Sequence, residues 1–184
     1  NHLKMKNFLA ILAIIIAFSA NAQLTIEGVA LPATIKAKTE KLVLNGGGLR
    51  EKYFLDLYVG GLYVTTKSSD AQAIINADES MAIQLNMISN LITSEKMIES
   101  TEEGFEKSTN GKQEEIRKDI DLFMAAFKDE IVDGNVFDIV YNPSTGVEVY
   151  KNGTKTTTVG DLTFKKALWG IWLCDTSADK DLKE

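Results

Sequence analysis

Residues 135–142, 147–151 and 154–159 read as three strands, and the joints between them are Pro143-Ser-Thr-Gly146 and Asn152-Gly153. Joints this short, with this turn chemistry, allow only reversals, so the three segments are held to an antiparallel meander. A helix follows directly. Gly160-Asp161 caps it, and Leu162, Phe164, Ala167, Leu168, Ile171 and Trp172 form its core-facing side.

The rest of the chain adds strands first and helices later. Residues 24–29 alternate as a short strand, and residues 41–44 form another that ends at Asn45-Gly46, a type I′ hairpin signal. Residues 53–66 are aromatic and β-branched but interrupted by Gly60-Gly61, which points to a bulge or a close backbone approach. Ser68-Ser69-Asp70 supplies caps for a short helix through Asn76, and Met81, Ile83, Leu85 and Met87 then alternate as a half-buried strand. Two helices follow. The first spans residues 93–107 with Met97, Ile98, Thr101 and Phe105 on one side. The second carries Ile116, Ile120, Phe123, Met124 and Phe127 on the face that lies on a sheet. The order β-β-β-α-β-α-α-β-β-β-α has no regular βαβ alternation. It specifies an α+β fold, an open-faced sandwich in which helices cover one face of an antiparallel sheet.

The first 22 residues read as a secretory leader. Lys4 and Lys6 precede an apolar run over residues 8–18, and Ser19-Ala-Asn-Ala22 provides an A-x-A cleavage site. The run is too short to span a membrane, and no Cys follows it to carry a lipid. Cleavage after Ala22 leaves residues 23–184 as one domain, exported to the periplasm or beyond. The leader holds His2, the one histidine, so the exported chain contains no imidazole for a Ser-His-Asp triad, a zinc site or a His base. Cys174 is the one cysteine, which rules out an intrachain disulfide. Losing Lys4 and Lys6 leaves 18 basic against 26 acidic residues, a net charge of −8. With only Arg50 and Arg117 as guanidinium groups, nucleic acid is not a partner. An anionic ligand would need a specific buried cation in so acidic a protein.

Several motifs resolve to ordinary structure. Gly46-Gly47-Gly48 lacks the residues of a phosphate loop and is explained by a hairpin turn. Asp175, Ser177 and Asp179 resemble the start of a calcium loop, but Lys180 stands where its glycine belongs, and nothing points to a metal or a cofactor. Asn152-Gly153-Thr154 is formally a glycosylation sequon and reads fully as a turn. Arg50 is different. It enters the most aromatic strand of the chain, where a guanidinium must reach solvent, pair with an acid such as Glu51, or meet a ligand carboxylate.

Taken in order, Gly28-Val-Ala-Leu-Pro32, Leu42-Val-Leu-Asn-Gly-Gly-Gly-Leu-Arg50, Leu57-Tyr-Val-Gly-Gly-Leu-Tyr63 and Ser68-Ser-Asp-Ala71 resemble the chalcone isomerase family, and more closely its bacterial chalcone isomerase-like branch. Gly104-Phe-Glu106, Leu168-Trp-Gly-Ile-Trp-Leu173 and Asp179-Lys-Asp-Leu-Lys183 extend the resemblance to nearly the whole exported chain. It implies a large antiparallel sheet under a layer of helices, with a ligand cleft between them. In the plant enzymes an Arg after the glycine turn holds the anionic substrate during cyclisation of a chalcone, and Arg50 stands at that position. The other polar groups do not carry over. The Thr of the next strand corresponds to Tyr58, the Tyr and Asn of the middle helix to Thr93 and Ser100, and the Thr of the last helix falls near Ile171. Their loss removes transition-state stabilisation worth several kcal/mol.

Non-catalytic relatives include plastid fatty-acid-binding proteins, in which the same Arg and a Tyr grip a carboxylate. Arg50 and Tyr58 resemble that pair. Eight residues of one straight strand would span about 26 Å, so the chain must fold back between the two, or the partner is Tyr53 or Tyr63. Three readings stand: a binding protein for a small apolar carboxylate such as a fatty acid, an isomerase (intramolecular lyase) acting on a phenolic or enone ligand, and a secreted structural domain whose cleft is filled by side chains such as Trp169 and Trp172. Ligand-contacting residues in the first two readings are Arg50, Tyr58, Thr93 and Ser100.

Overall fold

A computed structural model describes residues 23–52 and 54–174. The expected leader, Tyr53 and the Asp175–Asp179 cluster lie outside the described residues. The strands are β1 (Leu24–Ile26), β2 (Val29–Leu31), β3 (Thr34–Ala37), β4 (Glu40–Lys52), β5 (Leu55–Val64), β6 (Met81–Met87), β7 (Val136–Asn142), β8 (Gly146–Lys151) and β9 (Thr154–Val159). The helices are α1 (Ala71–Asn76), α2 (Ser94–Ser108), α3 (Arg117–Met124) and α4 (Leu162–Leu173). Strands β3 to β9 form one antiparallel sheet in chain order, while β1 and β2 pair separately. The α+β class expected from the sequence is the one observed. Among the described residues no helix is long and apolar enough to cross a membrane.

One face of the sheet carries the main core. Ile83, Leu85, Phe137, Ile139 and Val149 meet Phe105 of α2, Ile120 and Phe123 of α3, and Phe164, Leu168 and Trp169 of α4. The rings of Phe105, Phe123 and Phe164 pack mutually at centroid distances of 5.6–6.1 Å, which ties α2, α3 and α4 together. Thr93 caps α2 and Asp161 caps α4, each accepting from backbone N–H groups of the first turn. The second amphipathic helix is shorter than its periodicity suggests. It is α3 flanked by 3-10 turns at Glu114–Ile116 and Ala125–Phe127, yet Ile116, Ile120, Phe123 and Phe127 all stay buried.

The other face is partly covered, which the sequence reading did not foresee. Residues 24–29 do not form one strand. Glu27 (φ 47°) and Gly28 (φ 77°) turn the chain between β1 and β2, and Leu31 is buried against that face with Leu42, Leu44, Val59 and Tyr63. The sheet is curled enough that Lys38, after β3, reaches Glu148 on β8.

A second correction concerns the glycines. No hairpin turn occurs at Asn45-Gly46, because β4 runs straight through Gly46-Gly47-Gly48 to Lys52 with a bulge between Leu44 and Gly46. The side chain of Asn45 instead clamps the chain before α1, donating to the Ser68 carbonyl at 3.0 Å and accepting from the Ser68 N–H at 2.9 Å. Gly47 pairs with Gly61, and a Cβ at Gly47 would lie 2.4 Å from Leu31 Cδ1 and 3.0 Å from the Gly60 carbonyl oxygen. The close approach expected at Gly60-Gly61 is therefore present, and the bulge lies on the neighbouring strand.

Glu148 is buried on the curled face. Burial works against its charge, but the Tyr150 hydroxyl at 2.6 Å and the ammonium groups of Lys155 (3.2 Å) and Lys38 (3.3 Å) outweigh it and bring its pKa down to about 2. A depressed carboxyl pKa contributes stability above the unfolded value of about 4.3 and loses it as pH falls towards 2. Because both lysines are substantially exposed, the loss is expected to be about 2 kcal/mol rather than the full shift. Urea unfolding at pH 7 and pH 2.5 measures it, and Glu148→Gln should flatten that difference.

Candidate functional site

Arg50 and Tyr58 are register partners across the β4–β5 hairpin. Lys52 pairs with Leu55, so β4 and β5 run side by side in opposite directions, and Phe54 has φ 63° and is fully exposed; the length objection to this pair disappears. Directly opposed residues share a face. Leu49 and Val59 belong to the β1–β2 side, so Arg50 and Tyr58, one residue on, face the helices. Tyr63 belongs to the other side. Its ring is buried against the sheet, its hydroxyl has no partner among the described residues, and burial and the charge of Asp138 push its pKa upward. It cannot share a ligand with Arg50.

Arg50 and Tyr58 line a small pocket between sheet and helices together with Ser100 and Thr101 of α2, Phe123 of α3 and Ile171 and Trp172 of α4. Ser100 is thus in the site. Thr93 is not: it is exposed, lines neither this pocket nor its neighbour, and accepts the Lys96 N–H at 3.4 Å as a helix cap. Thr101 was not among the expected ligand residues, although its place on the apolar side of α2 is legible in the sequence. Its hydroxyl donates to the Met97 carbonyl of its own helix at 2.7 Å. The only other arginine, Arg117, joins α2 to α3 on the surface by pairing with Glu102 and with Asp121. Arg50 is accordingly the guanidinium of the cleft.

The pocket's volume is about 40 Å³. Its neighbour is far larger, about 390 Å³, and has a floor made of backbone. Gly46, Gly48 and Gly60 line it without side chains, and Ile74, Ile83, Leu85 and Leu173 supply apolar walls. A Cβ added at Gly46 would meet nothing within 4 Å. Asn45, Ser68 and Ser69 form a polar part of its lining. The cleft is therefore not filled by the two tryptophans. Trp169 is wholly buried against Tyr141, while Trp172 lines both cavities and donates its indole N–H to the Tyr58 hydroxyl at 3.1 Å.

In chemical terms this is one cation and one phenol at the end of an apolar cleft. The remaining lining of the small pocket is dominated by aromatic and aliphatic side chains, with no carboxylate. Among the described residues no group of His, Cys, Asp and Glu could hold a metal ion. Such a site can fix an anionic head group through charge-assisted hydrogen bonds and bury a hydrocarbon chain beside it.

No curated protein matches the sequence. Among solved structures, the fold is similar to that of a fatty-acid binding protein of Arabidopsis thaliana. The TM-score is 0.69 at 19% identity, covering 88% of this chain and 93% of the other. At that identity the likeness establishes the fold. The family model described as chalcone isomerase-like matches residues 22–184. That match covers every element described above, and the chain belongs to the chalcone isomerase-like family.

Proposed function

We propose that this protein binds a small apolar carboxylate such as a fatty acid and performs no chemistry on it. The carrying observation is the register pairing of Arg50 with Tyr58 on the helix-facing side of the sheet, beside an apolar cavity of about 390 Å³. Arg50 supplies the charge, Tyr58 a hydroxyl, and the glycine-floored cavity the room for a hydrocarbon tail. A cavity of that size falls within the usual range for small-molecule sites, about 300–1,000 Å³. A solved relative in fold whose title names fatty-acid binding supports the same reading. Against cyclisation of a chalcone stands the small pocket's size, about 40 Å³ around Arg50, which does not admit an aromatic ring beside the hydroxyls of Tyr58 and Ser100.

The test is mass spectrometry of small molecules extracted from the purified protein, alongside calorimetric titration with dodecanoate. Arg50→Ala is expected to weaken binding by about 10- to 150-fold, the worth of a hydrogen bond to a charged group. Binding that survives Arg50→Ala unchanged refutes the anchor. Steady loss of chalcone absorbance on adding the protein would refute the non-catalytic reading.

We further read the chain as a secreted member of the family's bacterial branch, with residues 1–22 removed on export. The support is the basic flank, the apolar run and the A-x-A site. N-terminal sequencing of protein recovered outside the cytoplasm should begin at Gln23, and retention of Lys4 and Lys6 would refute the assignment.

A further inference from the structure

The two cavities of the cleft share only Leu85 on the sheet and Trp172 on α4. Trp172 borders both, and its indole N–H donates to the Tyr58 hydroxyl at 3.1 Å, the hydroxyl of the residue paired with Arg50. We propose that Trp172 divides the head-group pocket from the tail cavity and so sets the length and shape of the ligand, a reading that rests on the carboxylate-binding function above. The specificity that follows is for unbranched alkanoates long enough to pass the indole.

Volume decides the point. A water occupies about 10–15 Å³ on the measure that gives the small pocket about 40 Å³, so this pocket holds the equivalent of about three waters. That is enough for a carboxylate with one or two carbons and not for a longer chain. A longer ligand anchored at Arg50 must send its tail elsewhere, and the adjoining cavity has roughly ten times the room. Leu85 and Trp172 border both, so a tail leaving the small pocket for the larger one passes the indole. On the far side Gly46, Gly48 and Gly60 contribute only backbone to the lining, with Leu62 beside Gly46, which leaves room for the tail or a displaced indole over the glycines. Trp172 also stands in the last turn of α4, immediately before Leu173 and the cap residue Cys174, where a side chain repositions at least cost to the helix.

The ligand carboxylate and the indole meet at one hydroxyl from opposite roles, Tyr58 accepting from the indole N–H while its own O–H donates to the carboxylate. A short acid fits beside the closed indole. A long one displaces it, exchanging the Trp172–Tyr58 hydrogen bond for contact between the chain and the apolar wall. A carboxylate carried directly on a ring is too wide for the small pocket and too rigid to thread past the indole.

The chain holds two tryptophans, so protein labelled with 5-fluorotryptophan gives two ¹⁹F resonances for the described fold, assigned by Trp172→Phe. Dodecanoate is expected to move the Trp172 resonance and leave that of Trp169 in place, while propionate moves neither. Trp172→Phe keeps an aromatic ring but loses the N–H, and should tighten dodecanoate by about fivefold, the worth of one neutral hydrogen bond. Its propionate affinity should change less than its dodecanoate affinity. Arg50-dependent binding of dodecanoate with an unmoved Trp172 resonance overturns the divider and leaves the carboxylate reading standing. A propionate-induced shift as large as that of dodecanoate overturns the length selection. Failure of both the parent and Trp172→Phe to bind any of these acids overturns both readings.

Discussion

Replacing Lys165 with methionine is expected to lower the unfolding free energy by about 4 kcal/mol, measured by urea denaturation at pH 7. Lys165 is completely buried in α4, and its Nζ donates to the carbonyls of Ile74, Ile75 and Ala77 at 2.8–2.9 Å. These are carbonyls at the C-terminal end of α1, where a helix leaves acceptors without intrahelical partners. Methionine preserves much of the apolar stem but strands three buried acceptors, each costing about 1–3 kcal/mol. Release from the burden of burying an ammonium offsets part of that, which is why the sum of three full penalties is not expected. The rings of Tyr141 and Trp169, with centroids 5.6 and 5.7 Å from Nζ, offer the charge two further favourable faces.

The same lysine gives stability a pH dependence. Burial pushes its pKa down to about 8, assisted by the Lys166 charge and opposed by Asp78 and Glu79. The unfolded value is about 10.4, so between pH 8 and 10.4 the unfolded chain binds more protons and stability rises with pH, by no more than about 3 kcal/mol. Neutral amine still donates two hydrogen bonds, so deprotonation does not empty the site. The rise is best measured below pH 10, because Tyr63 and Tyr141, whose pKa values burial raises, oppose it at higher pH. Lys165→Met should abolish it. A methionine variant as stable as the parent at pH 7 would show that these carbonyls find other partners.

Gly146→Ala is expected to cost at least about 3 kcal/mol. Gly146 opens β8 with φ 90°, and a Cβ there would stand 2.2 Å from the Gly160 carbonyl oxygen and 3.1 Å from that of Val159. Both obstacles are backbone, held by the β8–β9 pairing and by the Asp161 cap of α4, so no rotamer change relieves them. Gly153 is the control. It also has positive φ (77°), but a Cβ there meets nothing within 4 Å, so Gly153→Ala should cost only the intrinsic strain of about 1–2 kcal/mol. Thermal unfolding of the two variants separates strain from collision. Equal losses would contradict the close approach of β8 to the β9–α4 turn.

The C-terminal half of the fold was legible because its signals are local. Short joints, turn residues and caps set β7 to β9 and α4, and Asn152 (φ 51°) with Gly153 makes the expected turn. The β4–β5 hairpin was not legible. A glycine triplet carries no side-chain period, and only the packing of Leu31 against Gly47 and Gly61 shows that these residues lie within strands. β3, four residues long, was missed for want of length. For the site, the resemblance pointed to Arg50, but its inward face follows from pairing with Tyr58, a non-local fact. Lys165 shows the opposite case. It sits three, four and seven residues before Leu168, Trp169 and Trp172, on the buried face by spacing, yet a lysine there reads as a stem with its charge in water. Only the end of α1, far away in sequence, supplies its acceptors.

The strand order carries a consequence for how the chain assembles. Each strand of the seven-stranded sheet lies beside its neighbours in sequence, so β3 to β5 and β7 to β9 can zip up locally, each closing only a short loop. The seam between β6 and β7 is different, because residues 88–135, including α2 and α3, must be gathered before it closes. Loop-closure entropy concentrates there, ahead of any reward from the contacts it brings. The pairing of Ile83 with Ile139 is therefore the contact of the sheet that closes its longest loop between consecutive strands.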